Sequence, residues 1–119
     1  MEFKLEIKKD TYAVKVTAED GDKIIGWGFL YVIFQDRHAE PYGLLENIYI
    51  EQEYRSQGIG TQVMSKLIQE AKDRGCYKLI CTSKQENEKA HIFYERFGLK
   101  KIGYEFRMDL ISSQSKQRD

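Results

Sequence analysis

The stretch from Leu44 to Gly60 constrains the fold most, because three structural signals follow one another within it. Leu44–Ile50 has the composition of a strand, and residues 55–60 read Arg-Ser-Gln-Gly-Ile-Gly. Gly58 and Gly60 allow backbone conformations that are closed to residues with a Cβ. The helix that follows leaves its first N–H groups without intrahelical partners, and its dipole favours negative charge there. The stretch therefore predicts a strand, a glycine turn and a helix start that together bind a phosphate or pyrophosphate.

Three phosphate-binding patterns can be compared with this loop. A P-loop needs a lysine directly after the glycine turn, whereas this chain continues with Thr61 and Gln62. A dinucleotide fingerprint needs a third glycine at position 63, where Val63 stands. The pattern Arg/Gln-x-x-Gly-x-Gly/Ala is met at every position from Arg55 to Gly60. Alone, this match is weak, because an arginine and two glycines also occur in ordinary strand-to-helix loops.

A second motif lies at residues 87–98, which follow the pattern Asn-x-x-Ala-x-x-Phe-Tyr-x-x-x-Gly. Asn87 and Tyr94 are seven residues apart, so they share one face of a helix. The small side chain of Ala90 between them would let a slender ligand pass close to that helix. Phe93 and Phe97 are interpreted as core residues.

The two motifs, in this order and separated by one helix and one strand, resemble the GCN5-related N-acetyltransferase (GNAT) family. The resemblance covers roughly Leu44 to Gly103. It implies the acyl-CoA N-acyltransferase fold, an α/β (α+β) domain whose mixed, mostly antiparallel central sheet is flanked by helices. It also implies acetyl-CoA as cosubstrate, with no metal. Family members usually place helices between their first two strands, whereas residues 1–34 here read only as strands and turns. We therefore expect a reduced N-terminal helical part and an open acceptor side.

Length and composition limit the classes of function. The 119 residues predict one domain over residues 1–111 and a polar tail over residues 112–119. Nineteen basic and nineteen acidic residues give zero net charge, which does not favour nucleic-acid binding. No apolar run approaches membrane-span length, and the alternating N-terminus is not a signal peptide. Cys76 and Cys81 lack further ligands nearby in the sequence, so we expect reduced thiols in a cytoplasmic protein and no zinc site.

Hydrophobic periodicity predicts the order of elements. Asp20-Gly21 lies between two strand-like runs and predicts a hairpin turn. Residues 23–34 predict a strand covered on both faces, in which Gly26 and Gly28 mark a close approach or a bulge. The unit from Leu44 to Cys81 predicts a parallel, right-handed crossover. Further strands are predicted at residues 3–7, 12–16, 77–81 and 99–110, and helices at residues 59–75 and 87–97.

The resemblance also implies which residues hold the cosubstrate. The backbone of residues 48–50 would pair with the pantetheine arm, and the N–H groups of residues 57–61 would bind the pyrophosphate. Arg55 would add positive charge, and Asn87 would hydrogen-bond the pantetheine. The complete predicted cosubstrate site consists of Ile48, Tyr49, Ile50, Arg55, Ser56, Gln57, Gly58, Ile59, Gly60, Thr61, Asn87, Ala90 and Tyr94.

Acetyl transfer to an amine needs the amine in its neutral form and a proton for the departing thiolate. Glu46 interrupts an apolar strand and is the candidate base, and a solvated glutamate at a strand edge is the alternative. Tyr94 resembles the general acid of the family, and a structural tyrosine that contacts the thioester is the alternative. His91 is interpreted as a helix-surface histidine, although it could be a second proton carrier, and His38 as an exposed loop residue.

The sequence is therefore interpreted as an acetyl-CoA-dependent N-acetyltransferase that transfers the acetyl group directly to a primary amine in a ternary complex. A non-catalytic acyl-CoA-binding module and a small nucleotide-binding regulator are the rival interpretations. The acceptor is expected to be an amine on a small molecule or a polypeptide, with no nucleic-acid or membrane partner. The sequence does not determine the oligomeric state, and exposed strand edges in so small a chain are compatible with a homodimer.

Overall fold

The fold is a single four-stranded sheet with two helices, as seen in a computed structural model that describes residues 1–111. Strand order along the sheet is β1-β2-β3-β4, in which the first two pairings are antiparallel and the β3–β4 pairing is parallel. This is the predicted mixed, mostly antiparallel sheet. The elements are β1 (Tyr12–Asp20), β2 (Lys23–Ile33), β3 (Tyr42–Ile50), a 3₁₀ turn (Gln52–Tyr54), α1 (Ile59–Asp73), β4 (Leu79–Ile80) and α2 (Glu88–Arg96).

The β1–β2 hairpin forms at the predicted turn. Asp20 and Lys23 are the last paired residues, and Gly21 between them has a φ of 62°. A left-handed backbone of this kind is accessible to glycine at little cost, which explains the hairpin signal in the sequence.

Helix α1 covers one face of the sheet, and its packing forms the core. Its period of 3.6 residues places Val63, Met64, Leu67 and Ala71 in one stripe. These side chains are buried with the sheet residues Leu30, Val32 and Leu45. Each fully buried aliphatic side chain of this size contributes about 1.5–3 kcal/mol to folding.

The two faces of β2 are buried to different degrees, so the prediction that both faces are covered was wrong. Residues on the α1 side alternate with half-buried aromatic residues on the opposite side, among them Trp27, Phe29 and Tyr31. Gly28 lies on the α1 side, where a Cβ would come within 2.8 Å of Leu67 Cδ1. The predicted close approach at Gly28 is therefore confirmed.

The second half of the chain follows the predicted order of elements with a shorter strand. Only Leu79 and Ile80 of the predicted strand 77–81 pair with β3, opposite Gly43 and Leu44. Gly75 has a φ of 79° just after α1 and ends the helix as predicted. Helix α2 agrees with the prediction to within one residue at each end.

The prediction of strands at residues 3–7 and 99–110 was wrong. Residues 1–10 form the N-terminal arm and residues 100–111 form the C-terminal arm, and neither pairs with the sheet. Their alternating apolar side chains are exposed, from 72% for Ile111 to 97% for Leu5, apart from Met1 at the chain end. Alternation predicts that one face of a segment is apolar, but a strand also needs a neighbouring edge for its backbone.

Neither helix within residues 1–111 has both the length and the apolar character that a bilayer span requires. In the same part of the chain, no group of three or more histidine, cysteine, aspartate or glutamate side chains is placed to hold a metal ion. The predicted polar tail, residues 112–119, lies outside the described residues.

Candidate active site

The site begins at a bulge in the middle of β3. Phe29 of β2 pairs with Glu46 and Trp27 pairs with Tyr49, so two residues of β3 lie opposite Gly28 alone. One of the two, Asn47, has a φ of 53°. A bulge of this kind bends the strand and changes the direction of the residues beyond it. Asparagine tolerates the left-handed region better than most residues, so Asn47 carried a weak signal that was not used to predict the bulge.

The bulge and the short β4 leave one edge of β3 open. Pairing between β3 and β4 covers only Gly43 and Leu44, so within residues 1–111 the β4-side edge of residues 48–50 has no strand partner. Part of this segment is already used, because the Ile50 carbonyl accepts a hydrogen bond of 2.8 Å from Arg55 Nε. The predicted pantetheine-binding segment is thus a strand edge that a further extended group could join.

The predicted phosphate-binding loop has two residues in the left-handed region, Ser56 at φ 65° and Gly58 at φ 80°. Gly58 is the N-cap of α1 and provides no side chain to cap it. The N–H groups at the start of α1 are therefore free of both intrahelical and side-chain capping partners. Left-handed residues ahead of a helix start turn successive N–H groups towards one concave side, which favours an anion.

Gly60 lies one residue inside α1, where the protein itself leaves room for a side chain. A Cβ at Gly60 would lie 3.8 Å from Ile50 Cγ1 and 3.9 Å from Phe93, which are ordinary contact distances. Packing within the protein therefore does not demand glycine here. This agrees with the motif, which admits alanine at this position.

Arg55 connects the loop to the end of β3. In addition to its hydrogen bond to Ile50, its guanidinium lies 5.5 Å from the centre of the Tyr49 ring. The two contacts fix the direction in which the chain leaves β3 and enters the loop. Arg55 thus fixes the path from β3 into the loop that precedes α1.

The proposed acid and base come together with a residue that the sequence analysis did not select. Burial raises the pKa of the Tyr94 phenol, and the neighbouring charges of Cys81 and Glu46 raise it further. Burial likewise raises the pKa of the Cys81 thiol, with Glu46 adding to the shift. These three residues therefore lie within electrostatic range of one another. Tyr94 is half-buried and Glu46 is exposed, so the cluster opens to solvent at Glu46.

The predicted parallel crossover could have indicated that Cys81 lies near Glu46. Leu44 pairs with Ile80, so the next residue of each strand, Leu45 and Cys81, continues the same register. A residue at the end of β4 must then lie near the middle of β3, where Glu46 is found. The register could have placed Cys81 at the site once the pairing was known, but the pairing itself is a tertiary contact.

Asn87 and Ala90 lie at the start of α2. Asn87 is the N-cap, and its side-chain oxygen accepts a hydrogen bond of 3.2 Å from the Ala90 N–H. Only the amide –NH₂ of Asn87 is left to donate to a ligand. Asn87 therefore has a structural role in addition to the predicted role in binding pantetheine.

His91 lines the same groove as Cys81 and Tyr94, whereas His38 lies in the loop between β2 and β3. His91 is half-buried, and its Nε2 is 2.9 Å from the Lys84 carbonyl oxygen. That contact fits a structural side chain better than a mobile proton carrier. His38 is exposed, as expected, and its ring stacks on Tyr77 at a centroid distance of 4.3 Å.

The sheet face opposite α1 carries no helix in the described part of the chain. Residues 1–34 contain no helix, as the sequence predicted. Trp27 and Tyr49 pack at a ring distance of 5.0 Å on this face, next to the pair Phe29 and Tyr31 at 6.1 Å. Below, the term open face refers to the surface formed by these four aromatic residues, Lys15 and Glu46.

Tyr94 also borders a groove of about 900 Å³ between the end of β4, α2 and the start of the C-terminal arm. The groove reaches from Leu79 along β4 to Cys81 and beyond, and its other wall includes residues 98–105. The site is thus accessible from the open face through Glu46 and from this groove through Tyr94.

In sequence, the chain is similar to known acetyltransferases. The sequence matches the Acetyltransferase (GNAT) family over residues 2–99. It is 32% identical over 82 residues to thialysine N-epsilon-acetyltransferase of Sus scrofa, covering 69% of this chain and 48% of that protein. It is 31% identical over 74 residues to glucosamine 6-phosphate N-acetyltransferase of Trypanosoma brucei brucei, covering 62% and 48% of the two chains. The chain spans about half the length of these curated relatives.

A solved structure shows the same arrangement in three dimensions. An acetyltransferase from Trypanosoma brucei superposes with a TM-score of 0.74 at 25% sequence identity. The match covers 82% of this chain and 69% of that chain. The mixed sheet and its helices therefore follow an acetyltransferase fold over most of the described residues.

Proposed function

Because the chain belongs to the acetyltransferase (GNAT) family, we propose that it transfers an acetyl group from acetyl-CoA directly to a primary amine in a ternary complex. One observation carries the proposal. The uncapped helix start at Gly58 and the unpaired edge of β3 lead to Tyr94 and Glu46. The proposed phosphate site at the start of α1 is thus followed by the open edge of β3, and then by the acid–base pair Tyr94 and Glu46.

Acetyl-CoA supplies the thioester. The N–H groups of residues 57–61 bind the pyrophosphate, with the charge of Arg55 beside them. The open edge of β3 at residues 48–50 pairs with the pantetheine arm, and the –NH₂ of Asn87 donates to it. This assignment follows the predicted site, apart from the oxygen of Asn87, which caps α2.

Tyr94 holds the proton that the departing thiolate needs. Its raised pKa keeps the phenol protonated throughout the neutral range. A thiol has a pKa of about 8.5 and an unperturbed phenol about 10, so complete transfer of the phenol proton to the free thiolate is uphill, whereas a hydrogen bond from the phenol to the departing sulfur does not carry this cost. Tyr94 therefore donates as negative charge develops on the sulfur, which is when the donation lowers the barrier.

Glu46 accepts the proton of the attacking amine. It lies on the open face, where an acceptor can approach from solvent, and its carboxylate is close enough to Tyr94 to influence that pKa. The two relatives named above are described as acting on thialysine and glucosamine 6-phosphate, both of which carry a primary amine. An open acceptor side fits a small amine or the end of a polypeptide. The two free thiols are consistent with the cytoplasmic location that we propose.

The experiment for this proposal compares two substitutions at Gly60. Acetyl-CoA should raise the Tm of the unmodified protein, because a ligand that binds only the folded state stabilises it. Gly60→Ala should keep the shift, and Gly60→Val should lose it because its branched side chain fills the space in which the ligand approaches the N–H groups. Both variants should fold, given the room around this position.

A thiol-release assay over a panel of amines then separates the enzyme from its rivals. Release of CoA in an amine-dependent manner supports catalysis, whereas a Tm shift without any release supports a non-catalytic acyl-CoA-binding module. A Tm shift with other nucleotides but not with acetyl-CoA would favour the nucleotide-binding regulator and refute the proposal.

A further inference from the structure

The first inference concerns the open face, where a cation already rests on aromatic rings. The Lys15 ammonium nitrogen lies 5.5 Å from the ring centres of both Trp27 and Phe29. Both rings are half-buried and so are fixed in place, while Lys15 itself is exposed. Aromatic faces attract an ammonium group electrostatically, and the attraction is weak at an exposed position. The lysine can therefore be displaced by another cation.

The strand register places this cation in one row with the proposed base. Lys15 of β1 pairs with Phe29 of β2, and Phe29 pairs with Glu46 of β3. Directly paired residues have Cβ atoms about 5 Å apart on the same face of a sheet. The Phe29 ring thus lies between an ammonium group and a carboxylate. An acceptor amine at Glu46 would have aromatic surface one strand away.

We propose that the open face binds an acceptor that carries a second ammonium group. The reacting nitrogen lies at Glu46, and the second ammonium lies over Trp27 and Phe29 in place of Lys15. The substrate class is then a short-chain diamine or polyamine, since the two positions are separated by about one strand spacing. This inference rests on the proposed function, because it names the acceptor of the same reaction.

Trp27 is the single tryptophan of the chain, so its fluorescence reports on this surface directly. Titration of the protein without acetyl-CoA should show that 1,4-diaminobutane changes the Trp27 emission at lower concentration than butylamine, at constant ionic strength. Lys15→Ala should tighten diamine binding about two- to five-fold, because the competing internal cation is gone. Phe29→Leu should weaken it by a similar factor.

Lys66→Ala is the matched control, since it removes the same charge from an exposed position on α1. It should leave diamine binding unchanged. Equal responses to diamine and monoamine, or equal effects of Lys15→Ala and Lys66→Ala, would overturn the inference. The Tm shift with acetyl-CoA, measured on the same samples, shows separately whether the proposed function stands.

The second inference concerns the two arms, which expose an unusual amount of apolar surface. Alternate residues of each arm are bulky and apolar, and the intervening residues are mostly charged. The exposed apolar side chains are Met1, Phe3, Leu5 and Ile7 in the N-terminal arm, and Ile102, Tyr104, Phe106, Met108, Leu110 and Ile111 in the C-terminal arm. Monomeric proteins rarely leave patches of this kind uncovered.

The sheet offers two open edges that suit such segments. Within residues 1–111, β1 pairs only with β2, and β4 pairs only with β3. The C-terminal arm does not pair with β4, and the groove of about 900 Å³ described above separates the arm from that strand. Within residues 1–111 of each chain, two amphipathic segments and two sheet edges thus have no partner.

We infer that a second copy of this chain covers them, with the arms of each protomer adding to the sheet edges of the other. An aromatic side chain buries about 150–250 Å², so Phe3, Tyr104 and Phe106 together would bury about 450–750 Å² per chain. Two chains then bury about 900–1,500 Å², which reaches the size of a specific protein interface before the aliphatic residues are counted. A two-fold dimer satisfies all four edges at once because its interface is reciprocal.

Light scattering of the full chain over a wide concentration range tests this inference. We expect a dimer, and Phe106→Glu should convert it to a monomer because it places a charge on the apolar face. Arg107→Glu is the control, since its side chain lies on the polar face of the same arm and the dimer should persist. A monomeric unmodified chain, or a Phe106→Glu variant that stays dimeric, would overturn the inference. Hydrogen exchange would show in the monomeric case whether the arms instead pair with their own sheet.

Discussion

The two faces of the sheet contrast sharply. On the α1 face, Leu30 and Val32 are fully buried against Leu67. On the open face, half-buried rings surround the exposed Glu46. The first face supplies stability, and the second leaves polar and aromatic groups accessible to a ligand. One face therefore packs against α1, whereas the other carries no helix within residues 1–111 and stays accessible. Substitutions on the two faces should therefore affect different measurements.

The largest expected effect is on turnover. Tyr94→Phe keeps the ring and its packing but removes the hydroxyl proton. Turnover should fall by about a hundred- to ten-thousand-fold where chemistry limits the rate, because general acid catalysis typically contributes that much. Acetyl-CoA affinity and Tm should barely change. Near-normal turnover with chemistry shown to be rate-limiting would leave Tyr94 as a packing residue.

The rate of Glu46→Gln, measured as a function of pH beside that of Tyr94→Phe, tests the proposed base. It removes the base, so its loss of rate should shrink at higher pH, where more of the acceptor amine is already neutral. Tyr94 behaves differently, because its raised pKa keeps the proton in place until the pH exceeds about 10, the ordinary phenol value. The alkaline fall in rate that Tyr94 causes should therefore lie above that pH.

The next largest effect is on stability. Leu67→Ala removes a fully buried side chain that packs under Gly28 on the α1 face. The free energy of unfolding should fall by about 2–5 kcal/mol in a denaturant titration. Turnover of the fraction that remains folded should change little. Tyr31→Leu on the open face is the matched control, and a comparable loss of stability there would refute the division between the two faces.

A smaller effect separates the two roles of Asn87. Asn87→Ala should lower the free energy of unfolding by about 0.5–2 kcal/mol, because it removes the cap of α2. Asn87→Asp retains a capping oxygen and should keep the stability. If the amide –NH₂ binds pantetheine, both variants should weaken acetyl-CoA binding in calorimetry. Unchanged binding in Asn87→Asp would limit Asn87 to its capping role.

The smallest expected effect concerns Cys81. Burial and the charge of Glu46 raise the pKa of its thiol, so little thiolate is present at neutral pH. Glu46→Gln removes one cause of the shift, and alkylation of Cys81 by iodoacetamide should become faster. Peptide mapping can follow Cys76 as the internal control, since its pKa is raised by burial without a contribution from Glu46. Equal acceleration at both cysteines would argue against a specific contact between Cys81 and Glu46.

Sequence patterns predicted the elements that depend on local residues. The hairpin at Gly21, the helix start at Gly58 and the helix end at Gly75 each follow from backbone freedom within a few residues. The bulge at Asn47 and the short β4 were missed because both depend on how distant strands align. Cys81 was missed for the same reason, since its position next to Glu46 follows from the parallel register.

The arms show the limit of periodicity most clearly. Residues 3–7 and 99–110 have the alternation of strands, yet they join no edge of the sheet. Alternation depends only on the order of the residues, so it fixes which side of each segment is apolar. The left-handed turn at Gly58 ahead of α1 is likewise local, because it depends on glycine geometry. The pairing of edges, the open sheet face and the charges near Tyr94 depend instead on contacts between residues far apart in the chain, so they become visible only in the fold.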